Sequence, residues 1–188
     1  MPILADMLRR NILGCTTALG FFMSVDTAET VTPSSEPPLG DPISELSGYF
    51  FEDLEIGMSA AYARTIGPAD LVMFAGISGD TNPMHLNEEY AAATMFEGTI
   101  AHGFLSSSFI STVIGTRLPG PGCVYVSQSL KFKAPVRPGD TVTARAAITE
   151  LDAARNRVTL RTTCTVGNTV VIDGEASVLV PSRMRAAE

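Results

Sequence analysis

"HGFLSSSFISTVIGTRLPGPGCVYVSQSLKF", residues 102–132, changes its hydrophobic period halfway along. From His102 to Leu118 it is apolar or small on every side, the pattern of a helix enclosed by protein. After Gly120-Pro121-Gly122 the period becomes two, and Val124, Val126, Leu130 and Phe132 fall on one strand face. Three further stretches repeat that period. Val142, Ala144, Ala146 and Ile148 align in the first, and Val158, Leu160, Cys164 and Val166 in the second, opposite Arg157, Thr159, Arg161 and Thr163. Val170, Ile172, Ala176 and Val178 align in the third. Arg137–Asp140, Leu151–Asn156 and Val166–Asn168 read as turns, so neighbouring strands are expected antiparallel. Helices followed by a meander with one buried face define an α+β fold, and the helix near 103–117 is the partner for that face.

Upstream, "MSAAYARTIG" (Met58–Gly67) is a candidate first strand. The next stretch opens a helix at Pro68, carries Leu71, Val72, Phe74 and Ala75 at helical spacing, and stops at Gly79. A second short helix follows, with Asn87 as its cap and Glu88 and Glu89 in the first turn. The 188 residues suit one domain, 48–182, with an extension at 1–47 and a tail at 183–188. In the extension, Arg9 and Arg10 precede an apolar run, Ile12–Val25, too short to span a bilayer. It has the look either of a signal-peptide core or of an appended helix. Thr32–Glu45, rich in proline and serine, reads as a linker.

The composition, 45% hydrophobic and 18% charged with mean hydropathy +0.21, is that of a soluble globular protein without stable membrane insertion. A net charge of −7 offers no basic field for nucleic acid. Cys15, Cys123 and Cys164 are odd in number and widely spaced, which is neither a disulfide framework nor a zinc site and suits a reducing cytoplasm.

Chemical potential gathers in "FAGISGDTNPMHLNEEY", residues 74–90. Asp80 and Asn82 after a helix-ending glycine are ordinary turn residues, and Pro83 fits a loop. Yet Asp80 and His85, converging on one water, can remove a proton from it and return one elsewhere. Downstream, His102 precedes Gly103 at the start of the enclosed helix. A bare glycine N–H there, at the positive end of the helix dipole, suits a developing oxyanion. No metal-binding spacing, dinucleotide fingerprint or phosphate loop is present, so no metal is expected.

"FAGISGDTNPMHLNEEYA" resembles the hydratase motif of the MaoC-like family, the (R)-specific enoyl-CoA hydratases. "YFFEDLEIGM", "FEGTIAHGFL" and "LPGPGCVYVSQSLKFKAPVRPGDTVTA" are similar to three further family segments, in the same order. The resemblance implies a hot-dog fold, an antiparallel sheet wrapped around a long central helix. It implies reversible syn addition of water to a trans-2-enoyl-CoA, with Asp80 and His85 as the catalytic pair, Asn82 in support and Gly103 in the oxyanion hole. No cofactor is implied, since coenzyme A is part of the substrate, and a homodimer or larger homo-oligomer is expected. Phe74, Met84, Leu86, Tyr90 and Phe96 are expected along the acyl tunnel, His102 near the substrate, and Lys131, Lys133 and Arg137 near the coenzyme A phosphates. A non-catalytic acyl-CoA-binding module and an acyl-CoA thioesterase are the alternatives on the same fold.

Overall fold

The computed structural model describes residues 45–183; the expectations for the extension before residue 45 and the tail after 183 lie outside them. A 3-10 turn at Phe51–Asp53 leads into β1 (Ser59–Thr65). Three helices follow: α1 (Pro68–Ser78), α2 (Pro83–Leu86) and α3 (Glu88–Ala92). The long helix α4 (Gly103–Thr116) then precedes β2 (Val124–Phe132), β3 (Thr141–Asp152), β4 (Arg157–Val166) and β5 (Thr169–Leu179). The five strands make one antiparallel sheet in the order β1-β3-β4-β5-β2. Its inner face holds α4, which is the hot-dog arrangement.

The two-residue period in β3 and β4 translates directly into burial. Val142, Ala144, Ala146, Ile148, Val158, Leu160 and Cys164 are all buried, and they pack with Phe109, Ile110, Val113 and Ile114 of α4. Burying a branched aliphatic side chain contributes about 1.5–3 kcal/mol, so this layer dominates the stability of the domain. Thr162 shares the buried face, and its hydroxyl accepts a hydrogen bond from Gln128 Nε2 at 2.9 Å.

Four sequence expectations need correction. The turn at Arg137–Asp140 does not join neighbours: β2 pairs with β5 and β3 with β1, so the chain crosses the sheet there. In β2 a register shift between Tyr125 and Ser127 reverses the facing, leaving Val124 and Val126 exposed while Leu130 packs on the core. A second shift, opposite Cys164/Thr165, exposes Val170 and buries Val171 instead. Finally, α4 is not enclosed on every side, because Phe104, Ser108, Ser111 and Gly115 form an exposed stripe.

Candidate active site

The site is assembled on the chain between β1 and α4. Pro68 opens α1, where it needs no N–H donor, and Asp70 accepts from the Gly67 N–H at 2.8 Å. Gly79 closes the helix at φ 77°, a left-handed position that a side chain rarely adopts. Two Asx turns follow. Asp80 Oδ1 accepts from the Asn82 N–H and Asn82 Oδ1 from the Met84 N–H, each at 3.2 Å. Asn82 thereby caps α2, a single turn that the sequence reading took for loop, and α2 carries His85. Asn87 then caps α3 through the Tyr90 N–H at 2.9 Å, as expected.

His85 is fixed at its edge and its face. Its Nδ1 lies 2.8 Å from the Ile100 carbonyl oxygen. A carbonyl only accepts, so Nδ1 carries the proton and Nε2 is left as the ring's acceptor. The Ile100 segment is itself pinned, for the Ala101 N–H donates to the Val136 carbonyl at 2.7 Å. The His85 ring lies 3.8 Å, centroid to centroid, from that of His102, and Phe74 stands 5.0 Å from His102. His102 is only 2% exposed, and its Nε2 lies 3.0 Å from the Asp80 backbone carbonyl oxygen. One carboxylate oxygen of Asp80 and one ring nitrogen from each histidine all lie within 4.8 Å of one another. Among the described residues this trio is also spaced to share a metal ion, although two of its four ring nitrogens are engaged with carbonyls.

Beside His85 opens a cavity of about 460 Å³, apolar for most of its wall. Gly103, Ser106, Phe96, Phe132 and Ile172 help to line it, with Lys133 also on its wall. Gly103 is the first residue of α4, and its N–H has no acceptor within the helix or elsewhere among the described residues. A Cβ at this position would come within 2.6 Å of Phe132 Cε1, so the ring approaches the bare glycine backbone directly. Ser106, one turn further on, is buried and its hydroxyl has no partner.

Of the residues expected around the substrate, His85, Phe96, Gly103 and Lys133 line this cavity. Phe74, Met84, Tyr90, Lys131 and Arg137 do not, and Leu86 borders a separate cleft with Pro68 and Leu71. The reasons are local. Phe74 packs behind His102, and the Met84 carbonyl accepts from the Ile100 N–H. Lys131 lies on the outer face of β2 opposite Asp173, and the Arg137 guanidinium donates to the Phe96 carbonyl, bracing the cavity wall. His102 is buried and does not line this cavity. Sequence reasoning missed Ser106, Phe132 and Ile172; the inward parity of β2 and β5 past their register shifts is the signal for the last two.

A helix wrapped by an antiparallel sheet, with an Asp–His pair and a bare helix N-terminus beside an apolar cavity, defines a hot-dog protein built to handle an acyl group. Residues 53–170 match the model of the MaoC like domain, and the chain belongs to this family. It is 60% identical over 135 residues to an (R)-specific enoyl-CoA hydratase of Rhodospirillum rubrum, covering 72% of this chain and 94% of that protein. It is 50% identical over 144 residues to a 3-hydroxybutyryl-CoA dehydratase of Methylorubrum extorquens, covering 77% and 92%. Among solved structures, the (R)-hydratase from A. caviae involved in PHA biosynthesis superposes with TM-score 0.68 at 41% identity, covering 69% of this chain and 99% of that one. The R-hydratase PhaJ1 from Pseudomonas aeruginosa, unliganded, gives 0.69 at 41% identity over 72% and 88%. Among the described residues no helix is long and apolar enough to cross a membrane.

Proposed function

We propose that the protein is an (R)-specific enoyl-CoA hydratase, adding water reversibly to a trans-2-enoyl-CoA. The observation that carries this reading is the Asp80 carboxylate within 4.8 Å of an imidazole nitrogen of His85, beside the cavity that Gly103 lines. The Asp80 carboxylate and the His85 Nε2, which the Ile100 bond leaves as the acceptor, can hold the two protons of one water between them. As the water oxygen bonds to C3, one of its protons passes to the pair. The π electrons move toward C2 and the thioester oxygen gains negative charge, which the unpartnered Gly103 N–H stabilises. A proton then goes to C2. The product carries OH on C3 and H on C2 with no change in oxidation level overall, so the reaction calls for no cofactor, and coenzyme A arrives with the substrate. The names of the relatives at 60% and 50% identity support both the reaction and its direction-independence.

Lys133, on the cavity wall, is our candidate for a coenzyme A phosphate. We read the assembly as at least a homodimer, since the edge strand β2 exposes Val124 and Val126 beside an unpaired ladder edge. The free thiols Cys123 and Cys164 favour a cytoplasmic location. The test is hydration of crotonyl-CoA, followed as loss of enoyl absorbance, with the configuration of the 3-hydroxy product determined and free thiol titrated. Asp80→Asn and His85→Ala are each expected to lower the rate at least ~100-fold. Unchanged rates in both variants would remove the pair from the mechanism, and thiol release without hydration would make the protein a thioesterase.

A further inference from the structure

We propose that His102 is a positioning residue, one side chain that sets the Asp80 backbone and the His85 ring together. The proposal rests on the hydratase reading of the site. His102 is 2% exposed and lies behind His85, which lines the cavity. Its Nε2 reaches the Asp80 carbonyl oxygen at 3.0 Å across 22 positions of sequence. Because that oxygen only accepts, Nε2 holds the ring proton and Nδ1 carries a lone pair. Nδ1 is buried with no partner, so the ring is anchored to polar groups through the Asp80 bond alone.

The faces of the ring are used as well. One stacks against His85 at 3.8 Å with a tilt of 32°, and Phe74 packs on the ring at 5.0 Å. His102 is also the N-cap of α4, immediately before Gly103. A single buried imidazole therefore touches the backbone of one reacting residue and the ring of the other, and is bonded in sequence to the third group. Asn82 makes a second link, its N–H donating to Asp80 Oδ1 and its carbonyl accepting from the His85 N–H, but it holds the His85 backbone and not the ring. A 1 Å misplacement of reacting groups costs about 100-fold in rate, which sets the scale of the effect.

Two substitutions separate the contacts. His102→Gln keeps a side-chain N–H donor for the Asp80 carbonyl and loses the ring. His102→Phe keeps a ring against His85 and loses the donor. With crotonyl-CoA, His102→Phe is expected to lower kcat about 100-fold with KM changed less than about 3-fold, and His102→Gln to recover about 10-fold of that loss. A merely structural residue would not produce this split between kcat and KM or this rescue by an amide. His102→Phe retaining kcat within about 3-fold, or a loss confined to KM, would overturn the proposal. Imidazole ¹⁵N spectra of the unsubstituted protein give a second readout that needs no variant to fold. They are expected to give His102 protonated at Nε2 and bare at Nδ1, with His85 protonated at Nδ1, and the opposite tautomer at His102 overturns the proposal. An unsubstituted protein that hydrates no enoyl-CoA would instead overturn the hydratase reading, and the tautomers then decide the positioning of the two residues on their own.

Discussion

Replacing Gly103 with alanine tests how the cavity and the helix N-terminus depend on each other. An added Cβ would lie 2.6 Å from Phe132 Cε1, 2.9 Å from Cδ1 and 3.2 Å from Cζ. Carbon atoms rest at about 3.5–4.0 Å, so the ring must retreat by roughly 1 Å. It has room to do so, being 50% exposed and touching Phe104 edge-on at 5.7 Å. The expected loss of stability is therefore at the low end of the 1–3 kcal/mol typical of overpacking, or about 2–4 °C in Tm. Activity should suffer more, because Phe132 is part of the cavity wall beside the N–H that we assign to the thioester oxygen. A displacement of about 1 Å there is expected to lower kcat/KM on crotonyl-CoA by about 10- to 100-fold. Trimming the ring in the same chain, Gly103→Ala with Phe132→Leu, should return part of that loss, a coupling that a double-mutant cycle measures. A single variant active within about 3-fold of the parent, or a cycle with purely additive losses, would refute the steric reasoning.

Other substitutions probe the frame. A Cβ at Gly174 would meet the Ser129 backbone carbonyl at 2.0 Å, where β5 and β2 approach each other, so Gly174→Ala is expected to cost about 1–3 kcal/mol in urea denaturation. Ser106→Ala removes a buried hydroxyl that has no partner, and should leave the denaturation midpoint unchanged or raise it. A clear loss of stability in that variant would mean the hydroxyl is satisfied. Burial pushes the Cys164 thiol from 9.0 up to about 12, and burial with the neighbouring Cys123 pushes Tyr125 from 10.0 to about 12. Both raised values mean that the unfolded chain ionises first as pH rises. Stability is thus fully kept below about pH 9 and should fall progressively toward pH 12, which denaturant titrations across that range would detect.

The fold was readable where one residue answers for one position. Val142 to Ile148 and Val158 to Cys164 keep strict alternation, and every one of their inward positions is buried. The reading failed only at the start of β2 and β5, because an extra residue near Val126, and another near Val171, puts Val124 and Val170 out of step with the inward positions that follow. No local feature of "CVYVSQ" or "TVVIDG" announces those bulges. Sheet order failed for a related reason: turn chemistry at Arg137–Asp140 specifies a reversal, not the strand that lies alongside afterwards. At the site, Asp80, His85 and Gly103 were legible because short-range chemistry places them at a helix stop, a capped turn and a helix start. The far wall was not, since the inward parity of Phe132 and Ile172 does not tell which inward residues meet beside α4 at this cavity.

The crossing of the sheet between β2 and β3 also has a bearing on how the chain reaches this state. β3, β4 and β5 are joined by short hairpins, whereas Thr65 meets Thr141 across 76 positions. Closing a long loop costs more conformational entropy than closing a hairpin, so local pairing can precede it. The three-stranded hairpin core can therefore form early, with β1 added at its edge later. Asp80 and His85 belong to the segment enclosed by that late closure, since they lie between β1 and α4. The region that does the chemistry is thus a bridge fastened last at one end, and detachment of β1 could loosen it while the hairpin core stays intact.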